Sequence, residues 1–215
     1  MKIHYYSGWF DEELPDKMIE LILNDIIDRR SLAIVWGCWA IDEYYGIVKN
    51  VWLDPAGIKF DEYHLIDSRM SKVKAHESLK NASVILLMGG ETELQNAFIN
   101  EYELTMPIKE SKAAVIMGFS AGAKNMASQW VCSKNNGYNV ETTQIYHGLG
   151  LDNFCYEPYF TLDNDELIKK DLLPLSQMLN VYATSTGSFL RVKNSQVTTA
   201  GEVFLISGNK INKVL

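Results

Sequence analysis

Residues 118–122 read Gly-Phe-Ser-Ala-Gly and constrain the fold of this chain more than any other segment. They follow the apolar run at residues 113–117, which has the composition of a buried parallel strand. Glycine on both sides of Ser120 permits the sharp turn that a strand-to-helix junction needs. The pattern therefore predicts a nucleophile elbow that exposes the Ser120 hydroxyl at the start of a helix. A tight turn in which Ser120 only caps that helix is the alternative.

A serine nucleophile needs a base, and histidines are few. The four histidines are His4, His64, His76 and His147, and only His147 follows Ser120. An α/β-hydrolase places its catalytic histidine late in the chain, after the acid. The order of residues therefore argues against that fold.

The composition predicts one cytoplasmic domain over residues 1–215. Of the residues, 47% are hydrophobic, which is enough for a single sizeable core. The net charge of −7 disfavours nucleic acid or an anionic membrane as the partner. No apolar run approaches the roughly 20 residues of a membrane span, and the N-terminal sequence lacks the pattern of a signal peptide.

The cysteines and histidines predict neither a metal site nor a cofactor. Cys38, Cys132 and Cys155 are scattered, as expected of reduced thiols. No cluster of histidine, cysteine and carboxylate residues has the spacing of metal ligands.

Alternating strand and helix patterns predict an α/β fold, a three-layer sandwich around a mostly parallel central sheet with antiparallel strands at the C-terminus. The predicted strands lie at residues 2–6, 32–36, 60–66, 84–88, 113–117, 154–160, 181–184, 189–193, 196–199 and 203–207. The predicted helices lie at residues 15–27, 41–52, 71–80, 93–102, 106–112, 121–127 and 164–179, the last capped by Asp163 and kinked or divided at Pro174. Trp36, Cys38 and Trp39 are predicted to end the second strand, with the tryptophans on the sheet or at the mouth of a pocket.

Four blocks, in this order, resemble the dipeptidase E and cyanophycinase family of serine peptidases. They lie at residues 89–92 (Gly-Gly-Glu-Thr), 118–123 (Gly-Phe-Ser-Ala-Gly-Ala), 148–160 and 185–189. The resemblance covers residues 83–215. In the first third of the chain, only the order of the strands is similar. It implies a class I glutamine amidotransferase-like (flavodoxin-like) fold and a peptidase acting on small peptides, as a monomer or a homodimer.

The resemblance also assigns roles to individual residues. Ser120 matches the nucleophile of the family. Its own N–H group or that of Ala121, with one from the turn at Gly89 and Gly90, matches the oxyanion hole. The first block, which includes Glu91 and Thr92, is implied to bind the substrate.

Three positions depart from the family pattern. Tyr159 stands where the family has its catalytic histidine, and Glu91 stands where the first block usually has asparagine. No carboxylate is found near Lys134 and Asn135, where dipeptidase E has the acid that orients its histidine.

The phenol of a tyrosine ionises near pH 10 in model peptides, so Tyr159 would be a poor general base. Three other side chains are candidates for that role. His147 precedes the third block and could reach the site from that loop. The alternative interpretation is a surface or hydrogen-bonded histidine. Glu157 lies two residues before Tyr159 and would face the same side of a strand; its alternative is a salt-bridged or solvated residue. Lys124 lies one turn into the helix, where a solvated lysine is expected.

Two functions stay open at this stage. The first is a serine-type peptidase that hydrolyses small peptides through Ser120. The second is a degenerate family member that binds a peptide, an amino-acid-like ligand or a protein partner without turnover. Dipeptidase E-like enzymes take peptides that begin with aspartate, and an acidic substrate calls for a basic residue in the pocket. Aspartyl dipeptides are not expected as substrates here, because none of the four arginines can be placed in the pocket from the sequence.

Overall fold

The structure is a computed structural model that describes residues 2–37 and 41–214 and, at Ile41, the backbone alone. Cys38 and Trp39, predicted to end the second strand, lie outside the described residues. The strands are β1 (Ile3–Ser7), β2 (Ser31–Val35), β3 (Glu62–Ile66), β4 (Val84–Leu87), β5 (Val115–Phe119), β6 (Ala127–Cys132), β7 (Gln144–His147), β8 (Asp152–Pro158), β9 (Val181–Thr184), β10 (Phe189–Lys193), β11 (Gln196–Ala200), β12 (Val203–Ser207) and β13 (Lys210–Lys213). The α-helices are α1 (Asp16–Asp25), α2 (Ile41–Ile47), α3 (Lys72–Asn81), α4 (Thr92–Glu101), α5 (Thr105–Lys109), α6 (Ala121–Met126), α7 (Asp165–Leu167) and α8 (Leu173–Leu175).

The first sheet has seven strands in the order β11-β10-β1-β5-β4-β2-β3. The five neighbouring strands β1, β5, β4, β2 and β3 are parallel to one another. At one edge, β10 pairs antiparallel with both β1 and β11. The mostly parallel sheet with antiparallel C-terminal strands is therefore confirmed. Because β1, β4 and β5 run in the same direction, the segments that follow them meet at one edge of the sheet, where α/β folds place their ligand sites.

The second sheet was not predicted. Its six strands have the order β13-β12-β9-β8-β6-β7, and the pairs β6–β8 and β8–β9 are parallel. Three of its strands, β6, β7 and β13, were missed in the sequence. β6 begins directly after α6 with no glycine or proline between them, so no turn signal separates the two elements.

Helices cover both faces of the first sheet, as the alternation of its side chains requires. On one face, Ile34, Leu86 and Met117 pack with Met18 and Ile22 of α1. The opposite face packs against α3, α4 and the second sheet, through buried residues that include Val35, Leu87, Ile116, Leu79, Phe98 and Tyr156. In the described parts of the chain, no helix is long and apolar enough to cross a bilayer.

The helix predicted at residues 164–179 is observed as three consecutive helical segments, and Pro174 lies at the start of the last one. It consists of α7, a π-helical turn (Ile168–Leu172) and α8, which together pack on the outer face of the second sheet. The predicted cap, Asp163, is wrong by one residue. Asn164 is the N-cap, and its side chain accepts a hydrogen bond from the N–H group of Leu167 at 3.1 Å.

Candidate active site

Ser120 lies at the junction predicted from the sequence, between the end of β5 and the start of α6. Its backbone has φ 53° and ψ −110°, a region that costs a residue other than glycine about 1–3 kcal/mol. The Ser120 N–H group donates to the carbonyl oxygen of Ser7 at 2.7 Å, and its own carbonyl oxygen accepts from the N–H group of Lys124 at 3.0 Å. The Ser120 side chain makes no capping hydrogen bond, so the alternative in which Ser120 only caps the helix is not observed.

Gly122 explains why the helix after Ser120 can pack so closely on the sheet. A Cβ atom at Gly122 would lie 2.1 Å from the carbonyl oxygen of Leu87 in β4, far inside van der Waals contact. Glycine at this position therefore lets α6 approach the end of β4, which brings Ser120 beside the turn that follows that strand.

Two adjoining cavities meet at Ser120. We call the larger one, about 650 Å³, the polar compartment, and the smaller one, about 410 Å³, the aromatic compartment. Ser120, Tyr159 and Gly90 border both of them. The polar compartment is also lined by Glu91, Thr92, Lys124, Asn136, Tyr138 and Glu157. The aromatic compartment is also lined by Trp9, Asp11, Glu43, Tyr44, Ile47 and Gly89.

Glu157 and Lys124 form a buried ion pair in the wall of the polar compartment. Lys124 Nζ lies 3.1 Å from Glu157 Oε2, and both side chains are about 5% exposed or less. Asn136 Nδ2 donates to both carboxylate oxygens at 3.3 Å. The expectation of a solvated Lys124 is therefore wrong, and the salt-bridged alternative for Glu157 is the one observed.

The ion pair determines what these two groups can do beside Ser120. Burial alone would lower the pKa of Lys124, but the Glu157 carboxylate, together with Tyr138 and Cys155, outweighs burial and the pKa is raised. Lys124 is therefore an ammonium ion at neutral pH and cannot accept a proton from a serine. Burial raises the pKa of Glu157, against the opposing effects of Lys124 and Asn136. Its carboxylate is already engaged by both neighbours.

Tyr138 and Thr92 complete this wall. The two hydroxyl groups lie 2.6 Å apart, and Lys124 Nζ lies 5.0 Å from the centroid of the Tyr138 ring. Thr92, which the resemblance places in the substrate-binding block, thus borders the polar compartment together with Glu91. A bound peptide would find hydroxyl and amide groups here to hydrogen-bond with its backbone.

Tyr159 borders both compartments, and its backbone also has a positive φ, of 59°. Its hydroxyl oxygen accepts a hydrogen bond from the N–H group of Trp9 at 2.6 Å. The ring packs against Gly8, where a Cβ atom would lie 2.8 Å from Tyr159 Cε1. The segment after β1 therefore fixes this side chain, which is 43% exposed at the boundary of both cavities.

His147 is not brought to Ser120. It lies exposed on β7, opposite Gln129 of β6, and borders neither compartment. All four histidines of the chain are among the described residues, and none of them borders either compartment. His4, for example, lies 2.7 Å from a carboxylate oxygen of Asp152.

The residues that the resemblance implies for the oxyanion hole surround Ser120. A Cβ atom on Gly89 would lie 3.4 Å from Ser120 Cβ, and Gly90 has φ 125°. Ala121 follows Ser120 directly and is buried. α6 has only six residues, so the local N–H groups, rather than a long helix dipole, are the donors available here.

Asp171 is a buried carboxylate that sequence reasoning missed. It accepts hydrogen bonds from Ser133 Oγ at 2.7 Å, Asn135 Nδ2 at 2.8 Å and Thr143 Oγ1 at 2.5 Å. These bonds fix the loop that carries Asn136 and Tyr138 into the polar compartment. No signal in the sequence links Asp171 to that loop, because the contact spans 36 residues in the case of Asn135.

The two described cysteines are expected to resist alkylation in the native protein. Burial raises the pKa of both Cys132 and Cys155 to about 12, with the carboxylates of Glu93 and Glu157 respectively adding to the effect. Only about one thiol in ten thousand is then ionised at pH 8. Mass spectrometry of a Cys38→Ser variant treated with iodoacetamide should find no adduct before unfolding and two adducts after it. Rapid alkylation of the folded variant would contradict this prediction.

Comparisons with known proteins agree with the fold and the blocks. The model of Peptidase family S51 matches residues 37–200. A peptidase from an acI-B1 Actinobacterium is similar in structure, with a TM-score of 0.70 and 17% identity over 100% of this chain and 94% of that one. A putative peptidase E protein from Listeria monocytogenes EGD-e gives a TM-score of 0.67 and 16% identity over 93% of this chain and 98% of that one. No match was found among curated proteins.

Proposed function

We propose that this chain, which belongs to peptidase family S51, is a serine-type peptidase that uses Ser120 as its nucleophile on small peptides. The backbone of Ser120 carries the proposal. It has φ 53° at the boundary of two cavities, and no hydrogen bond within the described residues occupies its hydroxyl. Backbone strain of this kind persists where the surrounding structure enforces it, and it is concentrated at functional sites.

The two compartments fit the two sides of a scissile peptide bond. With the carbonyl carbon at Ser120, one side of the peptide extends into the polar compartment and the other into the aromatic compartment. Attack by Ser120 Oγ forms a tetrahedral intermediate, and its oxyanion accepts hydrogen bonds from N–H groups among Gly89, Gly90 and Ala121. The C–N bond then breaks, and the amine leaves with the proton that the Ser120 hydroxyl gave up, carried by solvent. Water hydrolyses the acyl-serine ester and returns a proton to Ser120 Oγ.

The proton of the Ser120 hydroxyl has no imidazole to accept it. Glu157 is engaged by Lys124 and Asn136, and no histidine borders the compartments. Loss of a triad base typically leaves only the roughly 10³–10⁴-fold acceleration that an oxyanion hole and binding supply. We therefore expect slow turnover, limited by the step in which Ser120 loses its proton.

Binding without turnover is the second candidate, and the lack of a histidine among the described lining residues favours it. Compartments that keep their shape and the turn at Ser120, but whose described lining includes no histidine, are able to bind a peptide without hydrolysing it. The two candidates differ only in the reactivity of Ser120, so a chemical probe of that hydroxyl separates them.

Fluorophosphonate labelling, followed by intact-mass spectrometry, tests the nucleophile. We expect the wild-type chain to take up one adduct slowly, the Ser120→Ala variant to take up none, and the matched control Ser68→Ala to label like the wild type. Ser68 is exposed and borders neither compartment. An unlabelled wild-type protein would overturn the peptidase proposal and leave the binding role.

A further inference from the structure

Acidic side chains predominate around Ser120. The polar compartment is bordered by Glu91, Glu93 and Glu157, and the aromatic compartment by Asp11 and Glu43. Among the described lining residues, the only cation is Lys124, which is already paired with Glu157. A ligand with a negative side chain would therefore meet uncompensated carboxylates on both sides of the nucleophile.

The aromatic compartment has walls that suit a cation. The rings of Trp9 and Tyr44 meet edge to face, with centroids 5.5 Å apart. Trp9 also packs on the buried Trp52 at 4.4 Å, and Tyr44 stacks on Trp36 at 4.6 Å. These contacts hold both wall rings in place, so they would not need to be ordered when a ligand binds.

Two carboxylates stand at the same compartment. Asp11, in the segment after β1, and Glu43, on α2, are exposed and form no ion pair or hydrogen bond within the described residues. A positive group between the rings and these carboxylates would gain cation–π and Coulomb interactions together.

We propose that the aromatic compartment is the subsite for a positively charged side chain, lysine or arginine, of the peptide that Ser120 attacks. The inference rests on the proposed function, since it concerns the ligand of the same site. It names a substrate class opposite in charge to the aspartyl peptides that dipeptidase E-like enzymes take. The aliphatic stem of such a side chain would lie along Ile47 while its charged end reaches Asp11 and Glu43.

Peptide binding to the Ser120→Ala variant tests the subsite without requiring turnover. Three tripeptides with blocked ends, Ala-Lys-Ala, Ala-norleucine-Ala and Ala-Glu-Ala, differ only in the central side chain. In calorimetric titrations at low salt, we expect the lysine peptide to bind about tenfold more tightly than the norleucine peptide, and the glutamate peptide to bind most weakly. The advantage of lysine should shrink in high salt, since the carboxylates are exposed.

Charge-neutral variants locate the effect. Adding Asp11→Asn and Glu43→Gln should abolish the advantage of lysine, whereas the control Glu12→Gln, at an exposed carboxylate outside the compartment, should preserve it. The inference is overturned by equal or tighter binding of norleucine, by a preference that survives the double substitution, or by no binding of any peptide. Fluorophosphonate labelling of the wild-type protein reports separately on Ser120, so either proposal can fail without the other.

Discussion

Replacing Lys124 by methionine is expected to destabilise the fold by about 3–5 kcal/mol, the usual cost of removing one partner of a buried ion pair. Lys124 and Glu157 are 3.1 Å apart and almost fully buried. The variant would leave the Glu157 carboxylate without its counterion, and Asn136 alone would remain to hydrogen-bond it. Urea unfolding followed by circular dichroism gives the change in the free energy of unfolding.

A second substitution separates the cost of the lone charge from the cost of lost packing. The double variant Lys124→Met/Glu157→Leu removes both charges and should recover most of the stability, because apolar residues of similar volume often replace a buried pair without loss. Lys169→Met is the matched control, since Lys169 pairs with Asp165 at 2.8 Å on the surface, and little change is expected there. A Lys124→Met variant as stable as this control would mean that the ion pair is not buried in solution.

Replacing Tyr159 by histidine is expected to raise the rate of fluorophosphonate labelling by about 10², the low end of the contribution of a positioned general base. The position borders the same two cavities as Ser120. Its backbone φ of 59° lies in a region where histidine is several-fold enriched. The substitution therefore introduces an imidazole without requiring a change in the backbone conformation.

Two comparisons show whether the imidazole itself is responsible. The Tyr159→Phe variant removes the hydrogen bond from Trp9 without adding a base, and it should label no faster than the wild type. In Tyr159→His the labelling rate should rise with pH near the usual imidazole pKa of about 6.5, since only the neutral ring accepts a proton. Combining it with Ser120→Ala should abolish labelling. An unchanged rate would show that this position does not bring a base within reach of Ser120.

The sequence predicted the central strands of the first sheet because they are buried on both faces and are mostly apolar. Val84–Leu87 and Val115–Phe119 are examples, and each ends at a glycine or serine turn that marks the boundary clearly. The same local signals placed Ser120 at a strand-to-helix junction. Helix and strand patterns depend on neighbouring residues, so this part of the fold is encoded locally.

The wall of the polar compartment could not be predicted in the same way. The ion pair of Lys124 with Glu157 depends on the pairing of β6 with β8, and β6 was not predicted, because the sequence indicated a helix at residues 121–127 and no strand after it. Asp171 reaches its loop only once the second sheet and its covering helices are packed. Both are long-range contacts, and a lysine or an aspartate in the sequence gives no sign of whether it will be buried.

The position of β1 has a consequence for how the site comes into being during synthesis. The Ser7 carbonyl oxygen accepts the hydrogen bond from the Ser120 N–H group, and Ser7 Oγ donates to the carbonyl oxygen of Ser188 at 3.0 Å. β1 itself is held between β5 and β10, so its partners are separated from it by more than half of the chain. A nascent chain therefore cannot form this arrangement around Ser120 until β10 has left the ribosome, when nearly all of the protein has been made.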